Sequence, residues 1–265
     1  MIDMVLVPNG RIGGWAPDFP GDPLCSDLEV REAYERFRVR RRPVIWIADD
    51  VAPLVALAKD AVLLKSEQRL LLLDEPSPGR KDLLHLLFRV VVAPGRGVSL
   101  LVLDELREVL GSEHRTDLFI AGVLERAAGV VVLYRGNLAP VVVPLAWFDR
   151  RGLSPKPNFG DFEITDYGHS VRFGKYEAST DAILYEYDAD YRHRAKERQL
   201  KLDDSLGGCI RRLRLMRGLS REDFPGVSEK QIARIERGEI AKVRAGTLAK
   251  IASALKVQPD EITSY

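Results

Sequence analysis

The chain has 265 residues, of which 46% are hydrophobic and 30% charged, with a net charge of +1 at pH 7. That length accommodates two or three domains, and no apolar run reaches the roughly 18 residues of a membrane-spanning helix. The first residues, M-I-D-M-V-L-V-P-N-G, have no basic segment ahead of an apolar stretch, and Cys25 and Cys209 stand far apart in unlike contexts. Neither a signal peptide, a disulfide framework nor a zinc spacing follows, and a cytoplasmic protein is expected.

The near-neutral total hides an asymmetry. Residues 190–265 hold 17 Lys and Arg against 11 Asp and Glu, whereas residues 1–189 hold 23 against 28. The basic surplus sits at the C-terminal end, where a contact with a polyanion needs it.

In chain order, residues 1–30 are rich in Pro and Gly and read as an irregular arm, followed by a helix over Asp27–Arg38. Pro43–Ile47 is a short buried strand and Val51–Lys59 a helix. Ala61–Leu64 and Arg69–Leu73 are expected as a hairpin turned at Ser66-Glu67-Gln68. Lys81–Arg89 reads as helix, Val90–Val92 as extended chain and Asp104–Leu110 as a helix ended by Gly111.

From Asp117 the pattern is a meander. Leu118–Leu124, Val130–Tyr134 and Val141–Val143 are strands with turns at Ala128-Gly129 and Gly136-Asn137; Phe162–Thr165 and Ser170–Phe173 form a hairpin across Tyr167-Gly168. One long helix is expected from Ser179 to about Leu200, apolar and aromatic first, then the charged run R-H-R-A-K-E-R. V-V-V-P-L-A-W-F followed by D-F-E-I-T-D-Y-G-H-S-V-R-F and a helix resembles the bacterial domain-of-unknown-function family 2442, a short sheet with helices. That likeness implies no activity; Trp147 and Phe148 are read as core.

Several chemistries are set aside. Arg69–Pro76 and Leu100–Glu105 look like acidic-ended ATPase strands, but no G-x-x-x-x-G-K-[ST] accompanies them, and both read as buried strands ending in acidic turns. His85, His114, His169 and His193 show no metal spacing, and no G-x-S-x-G elbow occurs. His85, in L-L-H-L-L-F, is expected to be partly buried. No catalytic residue, metal site or cofactor is read from the sequence.

The last sixty residues carry the strongest signals. Leu206–Arg217 places Ile210, Leu213 and Met216 at helical spacing and stops at Gly218; Ser220 caps a very short helix, R-E-D-F, ended by Pro225-Gly226. Ser228 is an N-cap with Gln231 three residues on, and Gly238 stands where a left-handed residue closes a helix. Between them Ile232 and Ile235 share an inward face, leaving Glu229, Lys230, Ala233, Arg234 and Arg237 outward. Leu248, Ile251, Ala252 and Leu255 recur at i, i+3, i+4, i+7 in a fourth helix, and Pro259 opens a last helical turn.

IRRLRLMRGLS, GVSEKQIARIERGE and TLAKIASALKVQPDEI resemble the helix-turn-helix of the phage-repressor and xenobiotic-response-element (Cro/repressor-like) family over roughly residues 205–263. The resemblance implies that the third helix lies in the major groove of duplex DNA. Glu229, Lys230, Gln231 and Arg234 then face bases, and Arg221, Arg237, Lys242 and Arg244 face phosphates. It also implies an ion pair between Arg214 and Glu236 holding the first and third helices. Two departures stand out: the second helix is short, and Glu229 aims an acid at a polyanion.

The expected fold is therefore α+β, a mixed α/β N-terminal region followed by an all-α five-helix domain. The expected domains are 1–115, of unknown role; 116–200, a small sheet-plus-helix domain with a connecting helix; and 201–265, the helix-turn-helix. The function expected is a sequence-specific DNA-binding transcriptional regulator, a homodimeric repressor whose N-terminal region dimerises or senses a small ligand. An alternative class is a protein-interaction module, such as an antitoxin or complex subunit, whose helix-turn-helix is autoregulatory or vestigial. A catalytic role for residues 1–115 forms a third class.

Overall fold

The computed structural model describes residues 4–8, 12, 15, 22–23, 27–38, 43–58, 66–150, 154–240 and 242–264. The fold is α+β, and the chain forms two compact units, Met1–Asp188 and Ala189–Tyr265.

The first unit opens with a parallel sheet. Its strands are β1 (Met4–Val7), β2 (Asp22–Pro23), β3 (Ile45–Ala48), β4 (Ser66–Leu72) and β5 (Phe88–Val92), in the order β2-β1-β3-β4-β5. Every residue of β1 and β3 is buried, as an apolar run in a parallel sheet requires. Val5, Val7, Trp46, Ala48, Leu70 and Leu72 pack with α1 (Asp27–Arg38), α2 (Ala52–Ala58) and α3 (Pro78–Leu87) in one core.

The parallel order overturns the hairpin expected around residues 61–73. Ser66, Glu67 and Gln68 are strand residues of β4, not a turn, and β4 runs parallel to both its neighbours. Parallel neighbours need a crossover of a dozen or so residues, so a tight turn has no place there. The other proposed arm, residues 61–64, lies outside the described residues, as does Lys59. Leu103 starts a helix rather than ending a strand, α4 (Leu103–Gly111), and His85 is exposed on α3 rather than partly buried.

Gln68 is the unusual group in this core. Only 1% exposed, it accepts a hydrogen bond from the Trp46 indole N–H and donates to the Tyr34 carbonyl at 3.3 Å. Trp46, Tyr34 and Phe88 stack edgewise around it, with ring centroids 5.6–6.1 Å apart.

A four-stranded antiparallel sheet follows, β6 (Val98–Leu100), β7 (Phe119–Glu125), β8 (Val130–Arg135) and β9 (Pro140–Pro144), paired in that order. The meander matches the sequence pattern, with β6 added ahead of it. The edge strand β9 starts and ends in proline. After the short helix α5 (Leu145–Phe148), β10 (Phe162–Thr165), β11 (Ser170–Phe173) and β12 (Tyr176–Ser179) form a third, antiparallel sheet. Phe148 is fully buried against Phe173, while Trp147 is half-buried. The Ile164 N–H donates to Ser99 Oγ at 2.9 Å, tying β10 to β6.

The long helix expected from Ser179 is two helices. α6 (Thr180–Tyr187) ends at Asp188, whose backbone leaves helical geometry (φ −126°, ψ 110°), and α7 (Ala189–Lys201) starts afresh in the second unit. Asp188 is held by the guanidinium of buried Arg135, a partner that helical periodicity does not reveal. No strand follows Ser179 among the described residues.

Replacing Gln68 by Leu is expected to destabilise the first unit by about 1–3 kcal/mol although it makes the core more apolar, because it leaves the Trp46 N–H buried without an acceptor. Chemical unfolding followed by Trp fluorescence checks this; equal or greater stability of the variant refutes it.

Candidate nucleic-acid interface

The second unit packs α7, α8 (Leu206–Met216), α9 (Glu229–Glu236), α10 (Ala245–Leu255) and a closing 3-10 turn at Ile262–Ser264. Its core is Ile210, Leu213, Phe224, Ile232, Ile235, Ile251, Leu255 and Ile262, with Cys209, Val227 and Ala252. Met216, expected inward, is 73% exposed.

The segment expected as a second helix is not one. Residues 219–226 form turns. Ser220 N–H donates to the Asp223 carboxylate at 2.6 Å and Glu222 N–H to Ser220 Oγ at 3.2 Å. This is the signature of a helix start, but Pro225 and Gly226 follow before a second turn can form. Of the five helices expected after residue 201, three form as α8, α9 and α10, the second is not a helix, and the last is the closing 3-10 turn, with Pro259 in a turn ahead of it.

α9 forms as the sequence dictates. Ser228 is non-helical (φ −70°, ψ 149°) and its Oγ accepts from Gln231 N–H at 3.2 Å. Ile232 and Ile235 enter the core, while Glu229, Lys230, Arg234 and Arg237 are exposed and Gln231 half-exposed. Ala233, expected outward, is buried. Beyond the helix, Lys242 is exposed, and so is Arg244, which precedes α10 as its N-cap.

Arg214 and Glu236 are brought together. Arg214 Nε donates to Glu236 Oε1 at 2.6 Å and a terminal nitrogen to Oε2 at 3.2 Å, a two-toothed pair with the residues 8% and 3% exposed. The remaining terminal nitrogen reaches the Leu219 carbonyl at 3.0 Å. Burial pushes the Glu236 carboxyl up, but hydrogen bonds from Arg214 and Arg221, with their charges, outweigh it and hold the carboxyl below the usual glutamate range.

Arg221, expected to face a phosphate, has an acid partner within the protein. Its Nε donates to Glu236 Oε2 at 2.8 Å, so it latches the turn that stands in for the second helix. Arg234 and Arg237 likewise have an acid partner in Glu239, at 3.3 and 2.6 Å. Neither link is visible as helical i, i+3 or i, i+4 spacing: Arg221 is outside a helix, and Glu239 follows Gly238 after α9 has ended.

With this geometry in view, the comparison with known families is specific. Residues 205–264 match a family model described as a helix-turn-helix domain. The match spans α8 to the closing turn. No curated protein and no solved structure matches the chain.

In the first unit, Asp49, Asp50, Asp74 and Glu75 line a cavity of about 190 Å³ at the C-terminal ends of β3 and β4. Asp49 accepts the Ile12 N–H at 3.1 Å. Among the described residues no cluster of three or more His, Cys, Asp or Glu side chains is arranged to hold a metal ion, and no helix is long and apolar enough to cross a membrane.

Glu236→Leu is expected to cost about 3 kcal/mol or more, since it strands buried positive charge, whereas Arg214→Met combined with Glu236→Leu costs much less than the sum. Thermal unfolding of the four chains of the cycle measures the coupling, and a value near zero refutes it. The depressed Glu236 carboxyl also fixes a pH dependence. Its contribution is complete above the unfolded value of roughly 4.3 and is lost as pH falls through the lower folded value. The stability gap between the parent and Glu236→Gln should therefore close on acidification below that point; a gap that widens there contradicts the sign.

Proposed function

We propose that this protein is a sequence-specific duplex-DNA-binding transcriptional regulator, acting through α9. The observation that carries the reading is the division of α9 into a buried face, Ile232 and Ile235, and an exposed face bearing Lys230, Gln231 and Arg234, inside the segment that matches the helix-turn-helix family. A helix can enter the major groove only if one face anchors it to a rigid body while the other stays free. The Arg214–Glu236 pair supplies part of the anchoring.

In this reading Lys230 and Arg234 donate to guanine O6 and N7, Gln231 pairs with adenine or a phosphate, and Glu229 accepts from cytosine N4. Arg237, Lys242 and Arg244 lie beside phosphates, while Arg221 serves first as the latch on Glu236. One helix reads only a few base pairs, so a homodimer on a palindrome, with half-sites about 34 Å apart, is the form proposed. The first unit then supplies the dimer contact or receives a small ligand or protein, and repression is the proposed outcome of occupancy.

The second reading, an interaction module with a vestigial helix-turn-helix, is favoured by one feature: the acid partners of Arg221, Arg234 and Arg237 compete with DNA for those side chains.

Selection of duplexes from a randomised library by the full chain separates the two; the absence of any enriched sequence refutes the regulator. With an enriched duplex, Arg234→Ala is expected to cost about 1–3 kcal/mol and relax one base position, while Lys242→Ala weakens binding to all sequences and lowers the salt slope by about one. If both variants bind like the parent, the groove assignment is wrong. Light scattering with and without that duplex tests the dimer, and a monomer in both states refutes it.

A further inference from the structure

The exposed arginines of α9 carry a counter-ion of their own. Past the helix, Gly238 takes φ +73°, and the Glu239 N–H returns to the Arg234 carbonyl at 3.0 Å. That reversal sets the Glu239 carboxylate against two guanidiniums. Arg237 Nε donates to Oε1 at 2.6 Å and Arg234 Nε to Oε2 at 3.3 Å. All three side chains remain open to solvent.

We propose that Glu239 is a built-in competitor of duplex DNA: its carboxylate engages Arg234 in the free protein, and a duplex must displace it before Arg234 reaches a base or a phosphate. The inference rests on the DNA-binding reading and concerns the strength of binding rather than the choice of sequence.

The physical basis is an exchange of anions. Moving Arg234 from Glu239 to a backbone phosphate replaces one anionic partner by another, and it leaves the Glu239 charge within a Debye length, about 8 Å, of the phosphates. A guanine edge offers two neutral acceptors to the planar fork, so there the exchange gains a directed pair in place of a single, solvent-exposed contact. In either case Arg234 gives up the same Glu239 contact and leaves the same charge beside the phosphates, so the carboxylate lowers affinity for arbitrary and for guanine-bearing sequence by a similar factor. In the free protein Arg237 keeps the carboxylate ionised, its hydrogen bond holding the Glu239 carboxyl below the usual range. Glu229, the acid at the other end of α9, makes no ion pair among the described residues. The acid that restrains the reading arginine is thus the one beyond the helix.

The test uses the full chain, as parent and as Glu239→Gln, with two fluorescent duplexes. One is enriched from a random library by either chain; the other is a fixed, unselected sequence. Anisotropy titrations over a salt series give affinity and salt slope. Glu239→Gln is expected to bind both duplexes tighter by a similar factor, about threefold to tenfold, with a salt slope steeper by about one. In Arg234→Ala combined with Glu239→Gln, most of the gain on the unselected duplex disappears. Binding by Glu239→Gln alone, with an inactive parent, also supports the restraint. No tightening on either duplex, or a gain that survives in full in Arg234→Ala combined with Glu239→Gln, overturns the inference and leaves DNA binding intact. If neither chain binds any duplex, the DNA-binding reading itself fails and takes the inference with it.

Discussion

Glu236 keeps a charge at 3% exposure, and a buried carboxylate is tenable only where cations meet it with good geometry. Two do. Arg214 arrives from α8 and Arg221 from the turn before α9, so one carboxylate joins three consecutive pieces of the helical unit. The two-toothed contact with Arg214 fixes direction as well as distance, which a purely apolar contact between Ile210 and Ile235 does not. The same close fit appears in the backbone: a Cβ on Gly207 would stand 2.1 Å from the Ile235 carbonyl oxygen. α8 therefore approaches the end of α9 more nearly than any side-chain-bearing residue at that position permits.

This arrangement explains how the unit tolerates a missing helix. In residues 219–226 the chain begins a helical cap and then abandons it at Pro225-Gly226, yet Phe224 still reaches the core and Val227 still leads into the cap of α9. The positions that a regular second helix supplies through its own hydrogen bonds are supplied by side chains: Asp223 on Ser220 N–H, Arg214 on the Leu219 carbonyl and Arg221 on Glu236.

What the sequence reveals and what it conceals divide along physical lines. α9 is legible because Ser228, Gly238 and the Ile232–Ile235 spacing are local signals, each tied to backbone geometry. The Arg214–Glu236 contact follows from a resemblance to a known family, not from spacing. The meander of the antiparallel sheet is legible because adjacent strands are joined by short turns at Gly129 and Gly136. The parallel sheet is not, since the partners of β4 lie a crossover away and an apolar run such as L-L-L-L does not name its neighbours. Gln68 misleads for the same reason. A polar residue between apolar runs suggests a turn, and only the indole of Trp46 and the carbonyl of Tyr34 explain its place inside. The break at Asp188 and the return of Glu239 onto Arg234 each depend on a residue outside any helix, beyond the reach of periodicity.

The prolines that bound β9 have a consequence for growth of the sheet. An edge strand presents free backbone donors and acceptors, a template on which another chain can build. Pro140 and Pro144 have no N–H to offer, Val142 stands out from the strand between them, and at the opposite edge β6 is only three residues long. A continuous ladder cannot be laid down on either border. Growth of this sheet by strand addition, which has no natural end, is thereby blocked at both borders.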